Sequence, residues 1–288
     1  MSEIIQVLSN IFTLVFVVSS MLALGLSLTM QQITGPLRDV NLVVRVLLAN
    51  FILVPLVAYL INLVIPMDEP LSIGLILLAT AAGAPFLPKL VQMAKGEVAT
   101  GVGLMVLLMV TTVIYVPLVL PLLLPGVSVN PLDIASSLVV LMLIPLGIGL
   151  FIKARYPETA AGLQPTFAQA ANVGLLGLVV TMLLLNWRTV LGTVGSGAIL
   201  AALIFVVLSF VIGYFLAPAT TRSTLGLGTA QRNIAAAMVV AGDNFTDPNV
   251  LIMVLVGAIL MMALLLPAAG ELGKRQAGQA KTVSPDAA

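Results

Sequence analysis

Long apolar stretches restrict this chain more than any other feature. Runs of about 18 or more residues with few charges, enough to span a bilayer as a helix, recur from Asn10 to Pro267. A transmembrane barrel would instead alternate polar and apolar residues over segments of about 10 residues, and no such alternation is present. Only 8% of the residues are charged and 60% are hydrophobic, whereas soluble domains carry about 25% charged residues. The sequence predicts an all-α polytopic membrane protein whose first partner is the lipid bilayer. Met1 to Ser9 lacks a basic segment and a small-residue cleavage site, so the first span reads as a retained helix.

Nine transmembrane helices are expected, at about 10–30, 42–65, 71–95, 98–124, 134–153, 167–188, 195–217, 223–246 and 249–268. They make a single transmembrane domain over residues 1–268, with 269–288 as a polar, disordered cytoplasmic tail. Turn formers fill the connections at Gly35-Pro36, Pro66 to Pro70, Pro125-Gly126, Asn130-Pro131 and Asp247-Pro248. The odd-span exits and the tail hold nine basic residues on one side (Arg38, Arg45, Lys95, Lys153, Arg155, Arg222, Lys274, Arg275 and Lys281), against only Arg188 on the other. By the positive-inside rule the N-terminus is outside and the C-terminus cytoplasmic, in a cell inner membrane.

Two spans are interrupted at corresponding places. The third breaks at Gly83-Ala84-Pro85-Phe86-Leu87-Pro88-Lys89, the eighth at Gly228-Thr229-Ala230-Gln231-Arg232-Asn233. Each break frees backbone groups that the hydrocarbon cannot satisfy. Paired broken spans in two halves of opposite topology point to inverted repeats with crossing helices and a midplane transport site. Gly83, Pro85, Pro88 and Gly228 are the expected hinge residues.

Each break also places a cation within a span, Lys89 in one and Arg232 in the other, and such a charge costs at least about 2.5 kcal/mol. All eleven acidic residues lie at loops, termini or span ends, so neither cation has a carboxylate at its depth. Two cations with no carboxylate, next to half-helix N-termini, suit a bound organic anion. Lys89 has a second reading, snorkelling toward the surface near Lys95. The expected substrate-binding set is Lys89, Arg232, Asn233, Asn50, Gln231 and Thr229; for Asn50 an interhelical hydrogen bond competes with that role.

The chain contains no Cys and no His, which removes thiol chemistry, disulfides, haem attachment and most zinc sites. No metal site and no resident cofactor are expected. Net charge is +1, so no nucleic-acid partner is implied. No catalytic grouping is present, and the chain does not read as an enzyme.

Residues 10–268 resemble the bile acid:sodium symporter family, within the wider bile/arsenite/riboflavin transporter group. The resemblance is carried by Gly25 to Leu28, by Asn50 to Pro55, by Gly83 with Met93-Ala94-Lys95-Gly96-Glu97-Val98-Ala99, and by Arg232-Asn233 with the Ala-rich run that follows. It implies inverted five-span repeats forming a core and a panel. The family's first span has no counterpart here, which would account for nine spans and an outside N-terminus. It also implies sodium ligands, and this chain departs from them. The Ser-Asn pair of the first break falls on Leu87 and Pro88, and hydroxyl ligands of the next span on Gly101 and Met105. The shared acidic ligand falls on Gly228, a Gln becomes Asn50, and a Gln-Asn pair becomes Arg232-Asn233.

The expected function is secondary transport of small organic anions by alternating access, with Lys89, Arg232 or both standing in for bound sodium. Coupling is then to protons through Lys89, or absent. Two alternatives stay open: a conventional sodium symporter with other ligands, and a non-transporting sensor or assembly protein of the same fold.

Overall fold

The computed structural model describes residues 2–124, 130–192 and 195–283. The Pro125-Gly126 turn lies outside them, as do the side chains of Trp187 and Arg188. All regular secondary structure among the described residues is helical. Apart from short turns of helix such as Met30–Thr34, the helices are α1 (Ser2–Ser27), α2 (Val40–Val64), α3 (Glu69–Thr80), α4 (Leu87–Met93), α5 (Val98–Leu123), α6 (Pro131–Arg155), α7 (Pro157–Gly192), α8 (Ala198–Leu216), α9 (Arg222–Ala230), α10 (Ile234–Asn244) and α11 (Pro248–Val283). Among the described residues six (α2, α5, α6, α8 and parts of α1 and α11) are long and apolar enough to cross a membrane. The third and eighth expected spans are not among the six because each is split, into α3 with α4 and α9 with α10.

Local chemistry sets the ends. Asp39 accepts from the Leu42 amide at 3.0 Å and Asn130 from the Leu132 amide at 3.0 Å, capping α2 and α6. Pro55 removes one amide from α2 and its ring pushes away the Phe51 carbonyl. The helix widens there into a π-turn over Ala49–Leu53, and the Tyr115 hydroxyl of α5 donates to the freed Phe51 carbonyl at 2.6 Å. A second π-turn, Val139–Leu143, precedes Pro145 in α6.

The helices pack in two groups. Helix α1 lies along α6 and α7, while α8 lies on α9 and α11, and α11 on α3. The first group approaches through small residues: a side chain at Gly25 or Gly149 would run into the backbone of the other helix. Apolar side chains dominate the interior of the second group, including Leu75, Leu78, Leu227, Met253 and Met261.

Several boundaries differ from the sequence reading. Helix α7 begins at Pro157, with only Tyr156 between it and α6. The expected disordered tail is helical as far as Val283. It is held there because Gly273 sits against the Met93 carbonyl and the Gln276 amide nitrogen, in the orientation that satisfies its neighbours, donates to the carbonyls of Lys95 at 2.8 Å and Ala94 at 3.1 Å. These are the orphan carbonyls at the end of α4.

Candidate functional site

The two breaks meet inside the second group. After Thr80 the chain leaves helical geometry, and Gly83 takes φ +81°. That value favours glycine, and a Cβ at Gly83 would collide with the backbone of Met109. The freed backbone groups find partners on neighbouring helices. Thr112 of α5 accepts from the Ala82 amide at 2.9 Å and donates to the Ala82 carbonyl at 3.1 Å. Asn233 closes the crossing: its amide donates to Ala81 O at 2.9 Å, its Nδ2 to Gly83 O at 3.0 Å, and its Oδ1 caps α10 by accepting from the Ala236 amide at 3.1 Å.

Arg232 lies at the centre with 0% of its surface exposed. Its Nε donates to Leu78 O at 3.0 Å and its Nη2 to Ala79 O at 2.6 Å, both at the end of α3. Its Nη1 donates to Thr229 O at 3.1 Å, at the end of α9, and to Asn50 Oδ1 at 2.6 Å, in the π-turn of α2. One guanidinium therefore neutralises the negative ends of two half-helices and ties them to a third helix. The rigid, forked donor set of arginine suits this divided task better than an ammonium would. Asn50 Nδ2 in turn reaches Thr229 Oγ1 at 3.3 Å and Val46 O at 3.0 Å.

Beside this network a cavity of about 350 Å³ opens between the helix groups. Phe16 and Ser20 of α1 and Leu175 of α7 line one wall, with Pro85, Phe86, Gln231, Ile234 and Ala235 opposite. Its surface is largely apolar. Gln231 is 2% exposed, and its Oε1 has no hydrogen-bond partner among the described residues.

Asn50, Thr229, Arg232 and Asn233 thus come together in one network, and Gln231 reaches the cavity. Lys89 does not join them. It is exposed on α4, with Nζ 3.4 Å from Gln92 Oε1, because Leu87, Leu90 and Val91 occupy the buried face of that short helix. Pro88 sits in the first turn of α4, where its missing amide costs nothing, and Gly228 lies within α9 rather than at its break. Leu87 packs against Gly228, filling with apolar atoms the place where the resemblance implies sodium ligands. Thr112 and the sulfur of Met261, which accepts from the Arg232 amide at 3.3 Å, were not in the expected set.

Comparison with known proteins decides the family, since the model of the sodium bile acid symporter family matches residues 14–193. The chain belongs to the sodium bile acid symporter family. It is 24% identical over 255 residues to the probable chloroplastic sodium/metabolite cotransporter BASS2 of Oryza sativa subsp. japonica, a match covering 84% of this chain and 59% of that protein. It is 26% identical over 197 residues to the probable chloroplastic sodium/metabolite cotransporter BASS3 of Arabidopsis thaliana, covering 68% and 46%. It is 25% identical over 230 residues to sodium/bile acid cotransporter 4 of Homo sapiens, covering 76% and 49%. The chain thus spans about half the length of these curated relatives. Six described helices long and apolar enough to cross a membrane accord with membership of a symporter family.

Proposed function

We propose that this member of the symporter family carries small organic anions by alternating access, with the fixed charge of Arg232 in place of bound sodium. The observation that carries the reading is the buried guanidinium, bonded to the carbonyl ends of both broken helices next to the cavity. A cation is needed there to hold two negative helix ends together, and the chain supplies its own. Lys89, exposed and turned away from this network, has no part in that replacement, and proton coupling through it loses its basis.

Substrate binds in the cavity. Ile234 and Ala235 form the first turn of α10 and line it, so the cavity borders the positive end of a helix dipole. Gln231 offers one amide, and the apolar wall takes the substrate body. Nine spans are completed by counting α3 with α4 and α9 with α10 as one span each, and by adding α7. They are related as inverted repeats, with α1, α6 and α7 as the panel that rocks against the remaining core. The N-terminus is outside and the C-terminus cytoplasmic, in a cell inner membrane, and the substrate is a carboxylate or sulfonate of modest size.

The test is uptake of a panel of radiolabelled keto acids, hydroxy acids and sulfonates into liposomes holding the full chain, with sodium or potassium outside. Uptake of at least one anion, equal in the two salts, is expected. The named relatives are sodium cotransporters, which favours sodium coupling as the second reading; faster uptake in sodium would select it.

A further inference from the structure

The cavity at the crossing is one of two that lie end to end along the seam between α1 and α10. The second, of about 200 Å³, is lined by Asn10, Thr13 and Val17 of α1 and by Met238, Gly242 and Asp243. Ile234, Met238 and Gly242 fall on one stripe of α10, four residues apart, so a single face of that helix serves both cavities. On α1 the lining passes in the same way from Asn10 and Thr13 to Phe16 and Ser20.

The two ends of this seam differ in charge. The second cavity ends at the exposed carboxylate of Asp243, which is in no ion pair among the described residues. At the other end stands Lys89. Pro85 and Phe86 line the first cavity, and Lys89 follows them by one helical turn, its amide bonded to Phe86 O at 3.1 Å. The packed side of α4 is taken by Leu87, Leu90, Val91 and Ala94, which leaves Lys89 on the exposed side of that helix, one turn beyond the cavity-lining Phe86. Its ammonium carries three donors, one of them directed at Gln92 Oε1 at 3.4 Å.

We propose that Lys89 gathers anions at one mouth of the seam while Asp243 repels them at the other, so that the pathway fills with anions preferentially from the Lys89 end. Low-dielectric walls focus the field of such charges into the cleft. One unit charge a helical turn from the path changes the local concentration of a monovalent anion by about two- to five-fold, by Coulomb's law in a water-like dielectric. In the orientation expected from the basic loops, the Lys89 end is cytoplasmic. The inference takes its physiological meaning from the transport reading, but its test does not use transport.

The chain has no cysteine, so Ser20→Cys gives the first cavity a single thiol and Thr13→Cys does the same for the second. Each variant, reconstituted as the full chain in liposomes, is labelled from each side with anionic sulfonatoethyl methanethiosulfonate or cationic trimethylammonioethyl methanethiosulfonate. The ratio of the two rates cancels any change in the thiol itself. From the Lys89 side, the anionic-to-cationic ratio at Ser20→Cys should fall about five-fold on adding Lys89→Gln, because both reagents respond in opposite directions; Lys89→Glu should lower it further. From the opposite side, Asp243→Asn should raise the ratio at Thr13→Cys. An unchanged ratio in Lys89→Gln and Lys89→Glu overturns the proposal, and so does a Ser20→Cys thiol that neither reagent reaches from the Lys89 side. Labelling that follows the expected pattern in a chain that moves no anion would leave the electrostatic inference standing and remove the transport reading.

Discussion

Replacing Arg232 with alanine removes four side-chain hydrogen bonds and leaves Leu78 O, Ala79 O, Thr229 O and Asn50 Oδ1 facing a void. A buried acceptor left without a partner costs about 1–3 kcal/mol. Water entering from the adjoining cavity will recover part of this, so a net loss of about 3–5 kcal/mol is expected. At about 2–4 °C per kcal/mol for a chain of this size, the melting temperature in detergent should fall by about 10 °C. The vacated carbonyl cluster is then a ready cation site. Sodium at tens of millimolar should restore several degrees in Arg232→Ala and none in the wild type, since a ligand stabilises only the state that binds it. Arg232→Lys should fall between the two, because one ammonium cannot fork toward α3, α9 and α2 together. The assay is thermal unfolding of purified protein across a sodium series with potassium as the control. Melting of Arg232→Ala within about 2 °C of wild type would falsify the account, as it would show that the guanidinium does not hold the crossing.

Three further outcomes are expected. Gly83→Ala should prevent accumulation of folded protein, since it combines positive φ with a collision against Met109; normal monodisperse yield by size-exclusion chromatography would contradict this. Tyr115→Phe deletes the hydroxyl that donates to the carbonyl freed by Pro55 and should cost about 1–2 kcal/mol, read as a melting shift of about 3–6 °C. Gln231→Leu removes a cavity amide without breaking an internal bond, so the half-saturation concentration for anion uptake should rise while melting stays put; lower stability with unchanged half-saturation would assign Gln231 a structural role instead.

The crossing itself was legible in the sequence. Arg232 and Asn233 stood out because a cation and an amide in an Ala- and Gly-rich span need partners, and Asn50 stood out as the amide ahead of Pro55. Their partners were not legible, because those are mostly backbone carbonyls, which every residue carries. Lys89 misled because depth along the chain says nothing about direction. The signal was present all the same: Leu87, Leu90, Val91 and Ala94 share one face of a short helix, which leaves Lys89 on another. Thr112 escaped notice because threonine in a membrane helix ordinarily bonds its own preceding turn, as Thr111 does with Leu107 O. The tail's polar composition predicts disorder, yet it is helical where it covers the carbonyls that end α4.

The guanidinium of Arg232 is covalently part of the core and bonded to both of its half-helices, so in a moving carrier it travels out and back with them on every cycle. An ion that binds on one side and leaves on the other delivers free energy from its gradient; a resident charge that always returns delivers none. Such a carrier can let its substrate reach equilibrium across the membrane, and can exchange one substrate for another, but it performs no osmotic work of its own.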